Sequence, residues 1–254
     1  MIKAIFIFFA HANDFFALGL RVVGGLFSRP LYIKETIDQM YIIGVQSLPI
    51  VALTSFFTGM ILALQSGYVM VNFGAQMYLG TLVSYSIILE LGPVLTGVVV
   101  AGRVGAGIAA ELGSMKVTEQ IDALRAMGTD PIKKLVQTRF VGGFLMVPVL
   151  TILADGLGIL GGLFVSNSSF GINPQLYWST VISPLTLDDV IMGIAKPFVF
   201  GMILIWVACY MGLTTKGGTE GVGRATTSAV VVAMIFILVG DYFVTQLLLW
   251  ALGY

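Results

Sequence analysis

The chain has 254 residues, of which 57% are hydrophobic and only 10% are charged, and its 13 basic and 13 acidic side chains cancel to a formal net charge of zero. Soluble domains carry about 25% charged residues, so this composition indicates an integral membrane protein and argues against a soluble enzyme. The balanced charge, without a cluster of Lys and Arg, argues against a nucleic-acid partner.

The N-terminal stretch MIKAIFIFFAHA combines one lysine, a short apolar run and Ala-x-Ala at positions 10 to 12. A cleavable signal peptide has these features, but the apolar run is short and a mixed segment with Phe15, Arg21 and Phe27 follows it. We favour an uncleaved amphipathic segment, residues 1–30, that lies in the cytoplasmic interface of the membrane. Cleavage as a signal peptide is the alternative.

Five stretches are apolar over about 20 residues, the length that crosses a bilayer as an α-helix. They are predicted at 45–72, 77–101, 137–165, 190–212 and 225–252. Twelve of the 13 Lys and Arg residues fall on one side of these spans, and only Lys196 falls on the other. Basic residues concentrate on the cytoplasmic side, which places the N-terminus and the 102–136 loop in the cytoplasm and the C-terminus outside.

Glu90 is a carboxylate in the middle of the second predicted span. Pro93 follows it and removes a backbone hydrogen bond, so the carbonyl of Leu89, four residues back, is free. An ionisable group at membrane depth costs about 2.5–3.5 kcal/mol on insertion scales, and such groups often serve function. Glu90 is therefore predicted to be a polar point on a transport path, with a structural bond to a neighbouring helix as the alternative.

Three other ionisable residues fall within or at the ends of apolar spans. Lys196 starts the fourth span, where it either binds Glu90 or a phosphate, or snorkels to the interface. Asp241 in the last span is predicted to be mainly structural. Asp155, next to Gly156, is predicted to bond across a helix interface. Cys209 is predicted to be a small buried hydrophobe, and with one histidine, His11, no Cys- or His-based metal site is expected.

The stretch ELGSMKVTEQIDALRAMGTDP, residues 111–131, is charged and predicts a short cytoplasmic helix at 118–127. Thr118 is predicted as its N-cap, Gly128 as the residue after its end, and Pro131 prevents continuation. One stripe of this helix is apolar: Ile121, Leu124 and Met127. Glu119 and Asp122 lie off the stripe and favour a protein partner over anionic lipid, with packing on the chain's own helix ends as the alternative.

Small residues precede this helix every four positions, at Gly97, Ala101, Gly105 and Ala109, and favour close helix packing. No G-x-x-x-x-G-K-[ST] sequence occurs, so a P-loop nucleotide site is not expected in this chain. Beyond the third span, Asn173 before Pro174 predicts a capped surface helix in the outer connection 166–189, and Tyr177 and Trp178 suit the headgroup level.

Residues 90–139, ELGPVLTGVVVAGRVGAGIAAELGSMKVTEQIDALRAMGTDPIKKLVQTR, resemble the hallmark block of the MlaE permeases, the membrane subunits of lipid-transporting ABC systems that work with MCE proteins. GRATTSAVV at 223–231 resembles the shorter second block of that family. The resemblance implies an all-α fold over 31–254, with five transmembrane helices and a cytoplasmic coupling helix. The family often has Arg before the Glu, whereas this chain has Leu89, so a headgroup role for that arginine does not carry over.

The resemblance also implies partners and sites. The chain would form a homodimer in the bacterial inner membrane, with two P-loop ATPase subunits that hold ATP and Mg, a periplasmic MCE hexamer and, in several members, a STAS-domain protein. It would bind no cofactor itself and would not be an enzyme; its substrate would be phospholipid, moved so as to maintain outer-membrane asymmetry. The implied lipid-cavity residues are Leu62, Val69, Met70, Phe73, Glu90 and Lys196. The implied ATPase-coupling residues are Glu119, Asp122, Leu124 and Arg125.

Two other functions are compatible with the composition. A proton-coupled secondary transporter would relay protons through Glu90, Asp155 and Asp241, but the sequence shows no paired broken helices of the kind many such transporters have. An intramembrane enzyme or passive scaffold is the third possibility, although an enzyme would need a nucleophile with a base or a metal cluster.

Overall fold

The structure, a computed structural model, describes the backbone of residues 2–25 and 32–253. Side chains are described over the same ranges except residues 2–12 and 23. The N-terminal segment is helical over Ile2–Gly25. Its predicted boundary with the permease domain, at residues 30 and 31, lies outside the described residues, as do Phe27 and Arg29.

Five helices in the described ranges are long and apolar enough to cross a membrane, which confirms the predicted number and the all-α fold. Spans 1 to 5 cover Ile33–Asn72, Gln76–Val117, Ile132–Phe170, Leu187–Leu213 and Gly218–Leu252. Each is longer than the predicted apolar stretch, because helix hydrogen bonds continue beyond the residues that composition marks as lipid-soluble. Span 1 is interrupted by a short 3-10 turn, Val45–Ser47.

Span 2 extends 16 residues beyond the predicted end at 101, so the predicted 102–136 loop begins inside a helix. It contains two π-helical turns, Ile87–Leu91 and Ala101–Gly105. Arg103 lies in the second turn and reaches the interruption of span 1, where Nη1 donates to Ser47 Oγ at 2.8 Å and to the Ile42 carbonyl at 3.1 Å. This arginine therefore fixes the break in span 1 against the π-turn of span 2.

Small residues let the helix backbones touch, as the Gly and Ala spacing predicted. Ala101, Gly105 and Ala109 of span 2 are buried, and span 2 packs against spans 4 and 5. A second stripe, which the sequence reading did not single out, joins spans 1 and 3. A Cβ at Gly59 would overlap the carbonyl oxygen of Gly158, so glycine is required at this crossing.

The connection between spans 3 and 4 contains helix Pro174–Ile182, and the Asn173 side chain accepts a 2.9 Å hydrogen bond from the Gln175 N–H, which confirms the predicted cap. Tyr177 is fully buried rather than at an interface, and its hydroxyl donates to the Ile159 carbonyl at 3.1 Å. Trp178 is 37% exposed. Span 4, which packs against spans 2, 3 and 5, holds the buried Cys209, as predicted.

Candidate functional site

The bend in span 2 exposes one backbone carbonyl to a buried lysine. Pro93 has no N–H, and the preceding turn, Ile87–Leu91, is π-helical. The ammonium of Lys196 on span 4 donates a 2.6 Å hydrogen bond to the Leu89 carbonyl oxygen. The Leu89 carbonyl was predicted to be free because Pro93 has no N–H to donate to it. It accepts a hydrogen bond from Lys196, the one basic residue predicted to lie on the outer side of the membrane.

Lys196 also pairs with two carboxylates, and we refer to Lys196, Glu90 and Asp241 as the ion cluster. Its Nζ lies 2.8 Å from Glu90 Oε1 and 3.1 Å from Asp241 Oδ1. The Asp241 contact is ionic only, since its geometry does not make a hydrogen bond. Lys196 is 0% exposed, so it does not snorkel to the interface. The cluster joins spans 2, 4 and 5, and loss of Lys196 would leave two carboxylates without a counter-ion; removing one partner of a buried ion pair typically costs about 3–5 kcal/mol.

Exposure differs sharply among the members of the ion cluster. The Glu90 side chain is 47% exposed and that of Asp241 is 18% exposed. One ammonium and two carboxylates have a formal charge of −1, and Glu90 carries that charge to the outside of the chain. Asp241 was predicted to be mainly structural; its position in the cluster became visible only with the packing of span 5 on span 4.

Asp155 does not bond across a helix interface, contrary to the prediction. Its Oδ1 is buried without a hydrogen-bond partner. The same oxygen lies against Gly92, where an added Cβ would overlap it. Gly92 comes directly after the π-turn, so Asp155 supports the bend from span 3 while the ion cluster forms beside it from spans 4 and 5. Because Gly92 has no Cβ, the carboxyl group of Asp155 can lie this close to the backbone of span 2.

The predicted apolar cavity residues of span 1 do not all share one environment in the single chain. Leu62 and Met70 are partly buried against the chain's own core. Val69 is 57% exposed and Phe73 is 80% exposed. Phe57 and Ile61 of the same helix are also more than half exposed. Span 1 therefore presents a broad apolar face outward, and Val69 and Phe73 belong to it.

The charged stretch forms the predicted short helix, but it begins differently. The helix covers Gln120–Ala126, and Thr118 is not its N-cap, because Thr118 ends span 2 and donates from Oγ1 to the Ser114 carbonyl at 2.8 Å. Glu119 occupies the cap position with a φ of 59°, a left-handed conformation that costs a non-glycine residue roughly 1 kcal/mol. The hydroxyl of Thr118 thus bonds to the end of span 2, and the cap position shifts by one residue to Glu119.

The end of this helix, which we call the coupling helix, follows the prediction. Gly128 has a φ of 76° and its N–H donates to the Arg125 carbonyl at 2.9 Å. The Thr129 N–H donates to the Leu124 carbonyl at 3.0 Å, which completes a Schellman motif. Ile121 is buried and Leu124 is half-buried, whereas Met127 is 72% exposed and lies outside the buried stripe.

Charges on the coupling helix are partly paired. Asp122 accepts from Lys116 Nζ at 3.1 Å and from Arg125 Nη1 at 2.9 Å. The hydrogen bond from Lys116, with that from Arg125, holds the pKa of the Asp122 carboxyl below its ordinary value. Among the described residues Glu119 makes no ion pair, and it is exposed. The outer surface of the helix therefore offers one unpaired carboxylate and one paired carboxylate.

An ion pair that the sequence reading did not identify closes the base of this hairpin. Arg139 at the start of span 3 is 2% exposed, and its Nη2 lies 2.7 Å from Glu111 Oε2 on span 2. Its Nη1 donates to the Leu135 carbonyl at 2.6 Å. The pair joins spans 2 and 3, the two helices between which the coupling helix lies.

Comparison with known proteins agrees with this architecture. The profile of the permease MlaE family matches residues 36–247. The chain belongs to the MlaE permease family. A probable ABC transporter permease protein of Rickettsia typhi is 44% identical over 241 residues, which cover 94% of this chain and 93% of the relative. A probable ABC transporter permease protein of Synechocystis is 41% identical, with 87% and 84% of the two chains covered.

Another MlaE-family relative has a more specific name. The intermembrane phospholipid transport system permease protein MlaE of Haemophilus influenzae is 36% identical over 237 residues, which cover 92% of this chain and 91% of the relative. An ABC transporter permease works with a separate ATPase subunit, so membership of the MlaE family implies an ATPase partner for this chain. The described residues contain no cluster of His, Cys, Asp and Glu suited to a metal ion.

Proposed function

We propose that this chain is the transmembrane subunit of an ABC system that moves phospholipid between the bacterial inner membrane and a periplasmic MCE protein, and thereby maintains outer-membrane lipid asymmetry. The observation that carries the proposal is the half-exposed Glu90, held at membrane depth by a fully buried lysine. A polar point among apolar helices suits a substrate with a polar headgroup and apolar chains. The name of the Haemophilus influenzae relative supports phospholipid as that substrate.

The proposed assembly is a homodimer with two ATPase subunits in the cytoplasm and an MCE hexamer in the periplasm. A STAS-domain protein on the ATPase completes it. The distribution of Lys and Arg supports an inner-membrane orientation with the N-terminus in the cytoplasm and the C-terminus in the periplasm. In this arrangement ATP and Mg bind the ATPase, and the permease has neither a cofactor nor a catalytic site.

Two surfaces of the permease have separate roles in this proposal. The first is a lipid cavity between two copies, with apolar walls and a polar point at Glu90 and Lys196. Its walls are Leu62, Val69, Met70 and Phe73. The outward apolar face of span 1 supports this role, since a second copy or a lipid chain would cover it. The second surface is the coupling helix, which contacts the ATPase through Glu119, Asp122, Leu124 and Arg125.

The proton-coupled alternative is weaker than the sequence suggested. Glu90 and Asp241 are both within 3.1 Å of the buried Lys196, so they are engaged as counter-ions rather than placed as free relay groups. Asp155 alone has no partner at its buried oxygen. A relay needs successive groups that exchange protons, and a single carboxyl group does not form one.

Reconstitution tests the proposal directly. The permease and its ATPase are placed in liposomes with a fluorescent phospholipid, and transfer of that lipid to or from the soluble MCE domain is measured with and without ATP. We expect transfer to depend on ATP and to stop when the P-loop lysine of the ATPase is replaced. Transfer that follows a proton gradient and ignores ATP would refute the ABC proposal and favour the proton-coupled alternative.

A further inference from the structure

The ion cluster presents a carboxylate, and not an ammonium, to a molecule that approaches from outside the chain. Three oxygen atoms lie within 3.1 Å of Lys196 Nζ, one each from Leu89, Glu90 and Asp241. The Leu89 carbonyl accepts one N–H of this ammonium, and the carboxylates of Glu90 and Asp241 already neutralise its charge at ion-pair distance. Because Lys196 is also 0% exposed, it is a counter-ion inside the protein and not a phosphate ligand.

Among the described residues, Lys196 is the one basic group within ion-pair distance of Glu90. Asp155, a third carboxyl group at the bend, lies against Gly92 and brings no positive charge. Arg103 is the next basic residue along span 2, roughly 20 Å away at the helical rise of 1.5 Å per residue. That arginine is bonded to Ser47 and Gln46. The exposed half of Glu90 therefore belongs to a cluster with a formal charge of −1.

We propose that Glu90 selects the lipid headgroup by binding the primary ammonium of an ethanolamine-type phospholipid, and that the cluster disfavours phospholipids whose headgroups carry only negative charge. This inference rests on the proposed phospholipid transport. A primary ammonium donates N–H groups to a carboxylate in a charge-assisted hydrogen bond. A choline headgroup lacks these donors, and a phosphatidylglycerol headgroup brings negative charge to a negative site.

The proposed selectivity depends on the uncharged side chain of Leu89. Its carbonyl serves Lys196, while its half-buried side chain contributes no charge next to Glu90. An arginine at position 89 would neutralise the formal charge of the cluster and add five N–H donors suited to phosphate. The substitution Leu89→Arg should therefore move the preference from ethanolamine lipids towards anionic lipids without touching the carbonyl that Lys196 uses.

Lipid retention by the purified protein measures the preference. The full chain, in complex with its ATPase, is incubated with equimolar dioleoyl phosphatidylethanolamine, phosphatidylcholine and phosphatidylglycerol, and is then washed in detergent. The retained lipids are extracted and quantified by mass spectrometry. The variants are Glu90→Gln and Leu89→Arg, and Glu220→Gln is the control, because Glu220 is an exposed glutamate far along the sequence at the start of span 5.

We expect the wild type and the control to retain ethanolamine lipid over phosphatidylglycerol by about fivefold, the scale of one charge-assisted hydrogen bond partly screened by water. Glu90→Gln should lower this ratio to about one, and Leu89→Arg should invert it. Lipid retained by the wild type in the input ratio, or a preference that survives Glu90→Gln, would overturn the inference and leave the proposed transport intact. Absence of any retained phospholipid, together with no ATP-dependent transfer, would overturn the proposed function itself.

If Glu90→Gln does not yield a monodisperse protein, the wild-type ratio and Leu89→Arg still decide the question. A wild-type preference for phosphatidylglycerol would overturn the inference without any variant. A Leu89→Arg protein with the same ratio as the wild type would show that the charge of the cluster does not select the headgroup.

Discussion

Lys196 donates a 2.6 Å hydrogen bond to the Leu89 carbonyl, which lies four residues before Pro93 on another helix. The proline removes the N–H that would have bonded to this carbonyl in an α-helix, and the lysine replaces that donor. A backbone carbonyl has a fixed position in its helix, whereas a carboxylate side chain can rotate. The position of the Lys196 ammonium is therefore more constrained than that of a lysine that only pairs with a carboxylate. The bend in span 2 and the charge of span 4 are therefore parts of one structural unit.

Lys196→Met should destabilise the protein strongly. Methionine preserves length and apolar bulk, but it leaves Glu90 and Asp241 together without a counter-ion and leaves the Leu89 carbonyl without a donor. We expect a loss of about 3–5 kcal/mol and a thermal midpoint in detergent lower by roughly 10 °C. Lys34→Met, at an exposed lysine of span 1, is the matched control. Equal midpoints for the two variants would refute a structural role for the ion cluster.

Gly92→Ala should destabilise the bend through its clash with Asp155. The new methyl group would overlap Oδ1 of that residue, and overpacking of this kind costs about 1–3 kcal/mol. Asp155→Ala should restore part of the loss in the double variant, because it removes the overlapping oxygen, while the new methyl group still meets the Ile87 carbonyl oxygen at 2.9 Å. Gly156→Ala is the control, since a Cβ there meets nothing within 4 Å. The thermal midpoints of the wild type, the two single variants and the double variant give the interaction energy between positions 92 and 155. Additive shifts of the midpoint would contradict the contact between Gly92 and Asp155.

The position of Leu89 shows what the sequence could predict. A proline at position 93 frees the carbonyl four residues back by covalent chemistry alone, and bilayer thickness fixes the number of spans. The partner of a carboxylate depends instead on which faces of distant helices meet. Asp241 is 45 residues from Lys196 along the chain, and nothing in the local pattern of span 5 specifies that the two face each other.

Local preferences also failed where a neighbouring helix overrode them. Thr118 is a favoured cap residue, yet it closes the end of span 2, and the cap of the next helix falls on Glu119, in a conformation unusual for that residue. At the other end of the coupling helix, Gly128 was predicted correctly because a positive φ after a helix strongly favours glycine. The pairing of Glu111 with Arg139 had no local signal, since the hairpin separates them by 28 positions.

Glu111→Gln should weaken coupling and also lower the thermal midpoint, because it leaves the buried Arg139 without a counter-ion. The substitution keeps a polar side chain but removes the charge that faces the buried Arg139. We expect ATP hydrolysis by the complex to continue while lipid transferred per ATP falls severalfold, because spans 2 and 3 no longer move together. Arg139→Met should lower the thermal midpoint less, because it removes the buried charge and leaves Glu111, which is 56% exposed, to water. Glu220→Gln is the control for Glu111→Gln, and equal coupling ratios in these two variants would exclude a role of the Glu111–Arg139 pair in coupling.

Charge reversal on the coupling helix tests the contact with the ATPase. Glu119→Lys and Asp122→Lys together should prevent docking, so that ATP hydrolysis no longer drives lipid transfer. The permease should keep its thermal midpoint, since both side chains are exposed. Glu220→Lys reverses an exposed charge elsewhere, at the start of span 5, and should leave transfer unchanged. Transfer at the wild-type rate in the double variant would show that this helix is not the coupling helix.

The pH dependence of Asp122 follows from its partners. The hydrogen bonds from Lys116 and Arg125 lower the pKa of this carboxyl in the folded protein. Its ionised form therefore contributes stability above the ordinary pKa of an aspartate, about 3.9, and loses that contribution only as the pH falls through the lower folded value. The ratio of ATPase affinities between the wild type and Asp122→Asn should consequently stay constant from about pH 8 to about pH 5.

Affinity is measured by titrating labelled ATPase onto the permease in nanodiscs, with Glu220→Gln to report any general effect of pH. A ratio that falls towards one between about pH 7 and about pH 5 would mean that Asp122 gains a proton in that range and that its pairs with Lys116 and Arg125 do not hold in solution.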